Sequence, residues 1–338
     1  MKALLHAIEK WEWTHNGFRS ALGEKNVDSF IPTRLRNTKY IAGNADYSNE
    51  HFMDQLDDYD LIVLRSWFSF VDPNFKKLLN YNTSAPKILL DYEDSYFIHS
   101  IYRSKQITLY FKRELIKEKI GLWASIQWLP AQFARTTFIS PLFFHKNPID
   151  MINLTPALFS MGSKLRPYPV TTIPDPNIKG KTDRDIDLSM MMTLSHRERR
   201  NTFNYVNKMS ASYKDRKFVL SSGSGIPKKK YLETIASSKA GISVRGMGYD
   251  AFRYWEIPCY GAALFSKKTP MAIQNDFTED ESALFFSTND ELRSKFDKYV
   301  VNSDEWKEIA KAGQDQFFKY HTPEKRIENL ILSELRKL

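Results

Sequence analysis

Cysteine is almost absent from this sequence, with Cys259 the single one in 338 residues. One cysteine cannot form an internal disulfide, which excludes the class of small secreted domains stabilised by disulfides. A reducing compartment such as the cytoplasm is the simpler expectation. The residues around Cys259 carry no nucleophile signature, and no cysteine and histidine spacing typical of zinc sites occurs in the chain.

Long hydrophobic runs are also missing. The apolar run at residues 3–8 is interrupted by His6 and ended by Glu9 and Lys10. It is too short for a signal peptide or a membrane span. We therefore expect no transmembrane segment, although peripheral contact with a membrane stays open.

The composition is that of a folded protein with a basic surface. Hydrophobic residues make up 42% of the chain and aromatic residues 14%, and the length favours two domains. The formal net charge of +9 comes from 49 Lys and Arg against 40 Asp and Glu. This charge favours phosphate-bearing partners or an anionic membrane face, and an ordinary solvated surface accounts for it equally well.

The N-terminal half alternates short apolar segments with stretches long enough for crossover helices, the rhythm of a parallel sheet. The predicted strands are residues 3–8, 27–31, 61–64 and 87–90, with a late strand at 137–139. Prolines then cluster between about 141 and 181, where a linker is expected.

The same rhythm restarts after the linker and predicts a second Rossmann-like unit. Its predicted strands are 186–194, 217–221, 240–244 and 262–265, and its predicted helices are 198–209, 228–237 and 250–257. We expect an N-terminal domain over 1–175, a C-terminal domain over 176–322, and a last helix over 323–338 that packs back on the N-terminal domain. Thr288 with Glu291 predicts a capping box, and Thr322 with Pro323 predicts the start of the last helix.

The most informative stretch is residues 243–266, SVRGMGYDAFRYWEIPCYGAALFS. A strand should end at Arg245, a tight glycine turn should follow, and a helix should begin near Asp250. A helix N-terminus after a glycine turn is suited to phosphate, and an arginine nearby adds charge-assisted hydrogen bonds. Arg253 and Glu256 share one helix face, a spacing that fits a ligand site or an ordinary surface ion pair.

Residues 186–330 resemble the C-terminal domain of GT-B glycosyltransferases, and the CgeB-like branch in particular. Four segments carry the likeness. They are the stretch at 243–266, Ser-Thr-Asn-Asp-Glu-Leu at 287–292, the predicted helix that contains Trp306, and His-Thr-Pro-Glu-Lys-Arg at 321–326. The resemblance implies an α/β protein of GT-B fold, with two Rossmann-like domains facing across a cleft. It implies a nucleotide-sugar donor, most simply a UDP-sugar, and no required cofactor or metal.

The resemblance also implies roles for individual residues. Glu256 would hold the donor ribose. Arg253 or Arg245 would contact phosphate beside the turn at Gly246. The loop containing Ser195 and Arg197 would touch the donor diphosphate. Relatives often carry a second, upstream glutamate that this chain lacks, so Asp250 either substitutes for it or caps the helix.

The N-terminal half resembles the family only in layout. Gly17 is predicted in the turn after the first strand, where backbone would approach a substrate, although a simple turn glycine fits as well. His15 is a candidate general base or a surface or capping residue.

An acidic segment, Asp-Tyr-Glu-Asp at 91–94, follows a predicted strand. Glu93 and Asp94 are therefore candidate bases for an acceptor hydroxyl, with a solvated turn as the alternative. The same segment could be an Asp-x-Asp metal site of a GT-A enzyme, but that fold leaves the second β/α series unexplained.

The expected function is transfer of a sugar from a nucleotide sugar to an acceptor hydroxyl, first of all on a bacterial surface glycan. The basic charge keeps two alternatives open. One is a glycosyltransferase that modifies hydroxymethylated bases of DNA. The other is a non-catalytic nucleic-acid-binding protein, because aromatic and basic residues interleave at 102–103 and 110–113.

Overall fold

The structure is a computed structural model. It describes residues 1–6, 8, 12–30, 56–66, 73–92, 97–98, 106–113, 115, 155–156, 164–223, 225–246 and 248–338. The chain divides into two compact units. The first contains residues 1–9, 25–168 and 270–272, and the second contains residues 10–24, 169–269 and 273–338.

The first unit is built on a parallel sheet of six strands in the order β2-β1-β3-β4-β6-β8. The sequence supplies four central strands that are buried along their whole length, as a parallel sheet covered on both faces requires. The strands are β1 (Ala3–His6), β2 (Val27–Phe30), β3 (Leu61–Arg65), β4 (Lys87–Asp91), β6 (Leu109–Lys112) and β8 (Leu165–Pro167). A short antiparallel pair, β5 (Phe97–Ile98) and β7 (Thr155–Pro156), and helix α2 (Pro73–Asn80) complete the described elements of this unit.

The second unit is built on a parallel sheet of five strands in the order β10-β9-β11-β12-β13. These strands are β9 (Ile186–Met191), β10 (Phe218–Ser221), β11 (Ser238–Ser243), β12 (Ala263–Lys267) and β13 (Leu284–Phe286). The chain runs from β9 outward to β10 and then returns to the other side of β9 at β11. In open α/β sheets such a reversal opens a crevice at the carboxyl ends of the two strands, where ligands bind.

The helices of the second unit connect and cover these strands. They are α1 (Trp13–Leu22), α3 (Arg197–Ser210), α4 (Lys228–Ala236), α5 (Arg253–Cys259), α6 (Asn289–Phe296), α7 (Trp306–Tyr320), α8 (Pro323–Arg326) and α9 (Ser333–Leu335). A 3₁₀ turn, Glu24–Asn26, lies next to α1, and the π-helical turns Asp297–Val301 and Ile327–Leu332 follow α6 and α8. None of the helices in the described part of the chain is long and apolar enough to cross a membrane.

Several predicted element boundaries are confirmed and others are wrong, among them the end of the strand predicted at 186–194, which ends at Met191. Thr288 accepts the amide of Glu291 at 3.1 Å, and Thr322 caps the helix that starts at Pro323. The helix predicted at 250–257 begins three residues later, at Arg253. Asp250 does not cap this helix, because its carboxylate accepts hydrogen bonds from the amide of Val170 and the indole of Trp255.

The placement of Gly17 in a turn is also wrong, because Gly17 lies inside α1. A Cβ atom there would lie 2.5 Å from the carbonyl oxygen of Pro323 and 2.7 Å from Cγ1 of Ile327. The glycine lets α1 approach the C-terminal helix, which explains why residues 10–24 cluster with the second unit. The domain boundary at 175/176 stays a prediction, and the strand predicted at 137–139 lies outside the described residues.

Gly17→Ala tests this helix contact. Alanine normally stabilises a helix interior relative to glycine by about 1 kcal/mol, so an ordinary position would gain stability. Here the backbone of Pro323 cannot yield as a flexible side chain would, and we expect a loss of about 1–3 kcal/mol in the free energy of unfolding. Urea denaturation measures it. Gly223→Ala is the control, because nothing lies within 4 Å of the position that a Cβ atom would take there. A stabilised Gly17→Ala protein would contradict the packing.

Candidate functional site

Two arginine side chains meet the carboxyl ends of the neighbouring strands β9 and β11. Nε of Arg253 donates to the carbonyl of Met191, the last residue of β9, at 2.5 Å. Nε of Arg199 donates to the carbonyls of Val244 at 3.2 Å and Arg245 at 2.9 Å, directly after β11. The strand order reverses between these two strands, so the arginines lie where the fold opens its ligand crevice.

Arg199 is a site residue that the sequence did not indicate. It lies in the first turn of α3, where the local pattern indicates an exposed polar helix, yet it is only 7% exposed. Its Nη1 donates to the carbonyl of Thr193 at 3.2 Å. Among the residues that the structure describes, none forms a salt bridge with it. The signal that could have found it is the glycine at 246, because a Cβ there would lie 2.7 Å from Nη2 of Arg199.

Arg199 stays positively charged at neutral pH although it is buried. Burial lowers the pKa of its guanidinium to about 10, and the positive charge of Arg253 acts in the same direction. The group therefore stays protonated at neutral pH. A buried cation without a counter-charge is costly unless a ligand supplies one.

The loop before α3 adds a helix N-terminus to this cluster. His196 is the N-cap, and its Nδ1 accepts the amide of Glu198 at 3.2 Å. Burial, with the charge of Arg245 second, lowers the pKa of this histidine. Ser195 and Arg197, both predicted to contact a donor, flank the cap on the exposed side. The free amides of the first turn and the helix dipole together favour an anion here.

Two further predicted residues lie in the turn after β11. Gly246 is buried against Arg199, and a Cβ there would lie 2.7 Å from Nη2. The guanidinium of Arg245 stacks over the ring of Tyr249, with Cζ 3.9 Å from the ring centroid. This cation–π contact fixes the guanidinium of Arg245 at the edge of the turn.

Glu256 does not form the surface ion pair with Arg253 that its spacing allowed. Its Oε2 instead accepts a hydrogen bond of 2.6 Å from the hydroxyl of Tyr231 on α4. Burial raises the pKa of Glu256, against the opposing effects of the Tyr231 hydrogen bond and of the charges of Arg253 and Lys228. A half-buried carboxylate is thus held by Tyr231 within the field of two cations, Arg253 and Lys228.

Asp250 was predicted either to replace an upstream glutamate or to cap the helix, and the structure shows different contacts for it. It is 6% exposed, and its two carboxylate oxygens accept from the amide of Val170 and from Nε1 of Trp255, the latter at 3.3 Å. It is not the N-cap of α5, where the cap residue is Phe252. The acid ties the segment at Val170 to the buried face of α5.

In the first unit, the acidic segment after β4 begins in a buried ion pair. Asp91 is 1% exposed, and its Oδ2 lies 2.8 Å from Nζ of Lys112. Ser66 donates to Oδ1 at 3.2 Å, and Tyr110 donates to Oδ2. An ammonium therefore occupies the side of Asp91 where a metal site would need its cation. Within the described ranges, no group of three or more His, Cys, Asp or Glu side chains comes together as a metal site would require.

The remaining predicted catalytic residues fall in different places. Glu93 and Asp94 lie outside the described residues. His15 lies in α1 and is 2% exposed, so it is neither a surface residue nor the helix cap, which is Glu12. Gly17, on the same helix, is accounted for by its contact with Pro323.

Comparison with known proteins identifies the part of the chain that holds the arginine cluster. Residues 192–331 match the family model described as glycosyl transferase-like. This segment is similar to glycosyl transferase-like domains. The glycosyltransferase prediction is thereby confirmed, whereas the CgeB-like branch stays a prediction. No curated protein matches the chain by sequence.

Solved structures confirm the predicted α/β class and GT-B fold type. An alpha-glucosyltransferase in complex with UDP has a TM-score of 0.55 at 11% identity, covering 100% of this chain and 99% of its own. Sucrose-phosphate synthase from Thermosynechococcus elongatus has a TM-score of 0.53 at 10% identity, and HepE from Anabaena, in complex with UDP and glucose, has 0.51 at 10%. Both of these cover 100% of each chain.

The burial of Glu256 predicts how the stability of the folded protein depends on pH. Its folded pKa lies above the unfolded value, so the folded state binds more protons between those two values and loses stability as the pH rises through them. Glu256→Gln removes this cost and can still accept from Tyr231. We expect the melting temperature at pH 7 to equal or exceed that of the wild type, with no advantage left below the unfolded pKa of about 4.5.

Thermal unfolding at pH 4 and pH 7 makes the comparison. Glu233→Gln, an exposed position on α4 that lies 4.0 Å from Lys229, is the matched control and should show little change at either pH. A large loss of stability in Glu256→Gln at pH 7 would mean that this carboxylate has a structural role.

Proposed function

We propose that the arginine cluster at the carboxyl ends of β9 and β11 binds the diphosphate of a nucleotide-sugar donor, and that the protein transfers the sugar to an acceptor hydroxyl. The observation that carries the proposal is Arg199, a buried guanidinium that no carboxylate of the described chain neutralises. A diphosphate fits this site because it carries negative charge and presents pairs of oxygens that accept two hydrogen bonds from one guanidinium.

The backbone contacts of Arg199 support this assignment. Nε and Nη1 are hydrogen-bonded to three carbonyl groups, which fixes the plane of the guanidinium. No bond to a protein acceptor in the described chain uses Nη2, which faces Gly246. An anion at Nη2 would complete the hydrogen bonding of the group and compensate its charge. The side chain is therefore held ready for a ligand rather than ordered by it.

Neighbouring groups extend the anion site in the proposal. Arg253 is fixed by its bond to Met191, and Arg245 by its stacking on Tyr249. Ser195 and Arg197 flank the N-terminus of α3, whose amides add donors of fixed direction. The phosphate contacts that we propose are thus Arg199, Arg245, Arg253 and the first turn of α3.

Glu256 is the proposed contact for the donor ribose. It lies on the same helix as Arg253, one turn further along, so a diphosphate near the arginine places the attached ribose toward the carboxylate. A carboxylate accepts hydrogen bonds from hydroxyl groups and repels phosphate. This difference in charge along α5 would orient the nucleotide in one direction.

The transfer step follows from these contacts. The bond between the anomeric carbon and the diphosphate oxygen breaks, and its electron pair stays on the diphosphate. The acceptor oxygen forms the new bond to the anomeric carbon, and its proton passes to a general base. Fixed guanidinium groups stabilise the charge that develops on the leaving group. Glu93 and Asp94 remain the proposed bases, with the buried His15 the weaker candidate.

The donor and the acceptor belong to the proposal as well. Two of the three structural relatives hold UDP, and one of them also holds glucose, which makes a UDP-sugar the donor of first choice. The proposed acceptor is a hydroxyl of a bacterial surface glycan, the class that the family resemblance implies. A cytoplasmic location is consistent with a single, buried cysteine.

A nucleotide screen tests the proposal directly. A ligand that binds only the folded protein stabilises it by about 2.7 kcal/mol at a hundred times its Kd. We expect UDP, or another nucleoside diphosphate, to raise the melting temperature, and the parent nucleoside without phosphates to raise it much less. ADP, GDP, CMP and TDP complete the panel. No shift with any of these nucleotides would contradict a nucleotide-sugar site.

Arg199→Gln tests the residue that carries the proposal. Loss of a charge-assisted contact to phosphate should weaken UDP binding by roughly 1.5–3 kcal/mol, about ten- to a hundredfold, measured by titration calorimetry. The affinity for uridine should stay unchanged, because uridine has no phosphate to lose.

The neighbouring Arg200 provides the matched control for this substitution. It is exposed on the same turn of α3, and its Nη1 donates to the carbonyl of Leu194 at 3.1 Å. Arg200→Gln should keep full affinity for UDP. Arg199→Lys, which keeps the charge, guards against a loss caused only by unfolding of the turn. Equal affinities for UDP in folded Arg199→Gln and in wild type would remove Arg199 from the site.

A further inference from the structure

The hydrogen bond between Tyr231 and Glu256 joins two helices at the edge of the arginine cluster. Tyr231 lies on α4 and Glu256 on α5, and the phenol donates its proton to Oε2 at 2.6 Å. Neither residue belongs to an ion pair in the described chain. Both side chains are half-buried, so each keeps part of its surface open.

This hydrogen bond determines which oxygen atoms of the pair can still accept a hydrogen bond from a ligand. Tyr231 uses its only proton on Oε2, so its oxygen can now serve a ligand only as an acceptor. The second carboxylate oxygen of Glu256, Oε1, has no hydrogen bond to any residue in the described part of the chain. The pair therefore presents two neighbouring acceptors, the phenolic oxygen and Oε1, and no donor.

Two adjacent acceptors match a ligand with two adjacent hydroxyl donors. A contact of Glu256 alone with both ribose hydroxyls would leave the phenolic oxygen of Tyr231 unused and would compete with Tyr231 for Oε2. We propose that Tyr231 is a specificity-determining residue of the nucleotide site: one ribose hydroxyl donates to Oε1 of Glu256, and the other donates to the phenolic oxygen of Tyr231. This inference rests on the proposed function, because it assumes that a nucleotide binds at the arginine cluster.

The surroundings of the pair support a fixed geometry. Arg253 is bonded to Met191 through Nε and favours the ionised form of Glu256 by its charge, as does Lys228 from the start of α4. Among the effects that keep Glu256 ionised, the hydrogen bond from Tyr231 is the largest. The phenol thus holds the carboxylate in one orientation and keeps it an acceptor.

The test compares UDP with its 2′-deoxy and 3′-deoxy forms on three proteins by titration calorimetry. In the wild type, removing either hydroxyl should weaken binding about three- to tenfold, the effect of one hydrogen bond. In Tyr231→Phe, the penalty for one of the two deoxynucleotides should fall to within about twofold, while the penalty for the other remains. Tyr213→Phe should keep both penalties. It is the matched control because it loses a half-buried tyrosine–carboxylate bond, to Asp297, beyond the opposite end of α3.

Each other result overturns the inference in a recognisable way. If Tyr231→Phe is folded and binds all three nucleotides as the wild type does, Tyr231 does not contact the ribose, although the nucleotide site stands. If both penalties stay but the affinity falls equally for UDP and for both deoxynucleotides, the role of Tyr231 is only structural. If the wild type binds no nucleoside diphosphate, the proposed function fails and this inference fails with it. If the wild type binds UDP and both deoxynucleotides equally, neither Glu256 nor Tyr231 reads the ribose.

Discussion

A buried positive charge held by backbone carbonyls is the constraint on which this site depends. Arg199 donates to Thr193, Val244 and Arg245, and all three carbonyls belong to segments that leave the carboxyl ends of β9 and β11. Carbonyl oxygens satisfy the hydrogen bonds of a guanidinium and part of its lost hydration, but they do not cancel its charge. The fold therefore keeps an electrostatic deficit at one point of the sheet, and an anionic ligand is what removes it.

The rest of the local structure is arranged around that deficit. Gly246 lets the turn approach the guanidinium, since a Cβ there would lie 2.7 Å from Nη2, and Arg253 adds a second positive charge that lowers the pKa of Arg199 further. Two like charges brought together at a helix N-terminus destabilise the ligand-free protein. Such an arrangement is typical of a binding site, where the ligand repays the cost, and is unusual in a surface that only needs to be solvated.

The sequence predicted the frame of this site better than its centre. Parallel strands buried on both faces leave apolar runs that a sequence shows directly, so β9, β11 and the helix carrying Glu256 could be located, as could the caps at Thr288 and Thr322. Arg199 could not, because an arginine among polar residues of a helix looks exposed, and its burial depends on a turn 45 residues away. Tyr231 was missed for the same reason, since its bond to Glu256 joins helices that are distant in sequence.

Asp250 shows how a correct expectation of importance can attach to the wrong chemistry. Its position before the helix suggested a cap or a ligand contact, yet its carboxylate is used up by Val170 and by the indole of Trp255. Trp255 is fully buried, with the guanidinium of Arg326 4.2 Å above its ring and the ring of His321 4.8 Å away.

These contacts fix the buried face of α5, and they thereby fix the directions of the charged side chains on its other face. A helix of 7 residues that ends at a proline-containing turn has little stability of its own, so its orientation must come from packing. Because Trp255 is clamped from three directions, the residues beside it, Arg253 and Glu256, leave the helix in fixed directions toward β9 and Tyr231. Asp250 thus supports the site indirectly: it holds Trp255, and so fixes the orientation of the helix that carries Arg253 and Glu256.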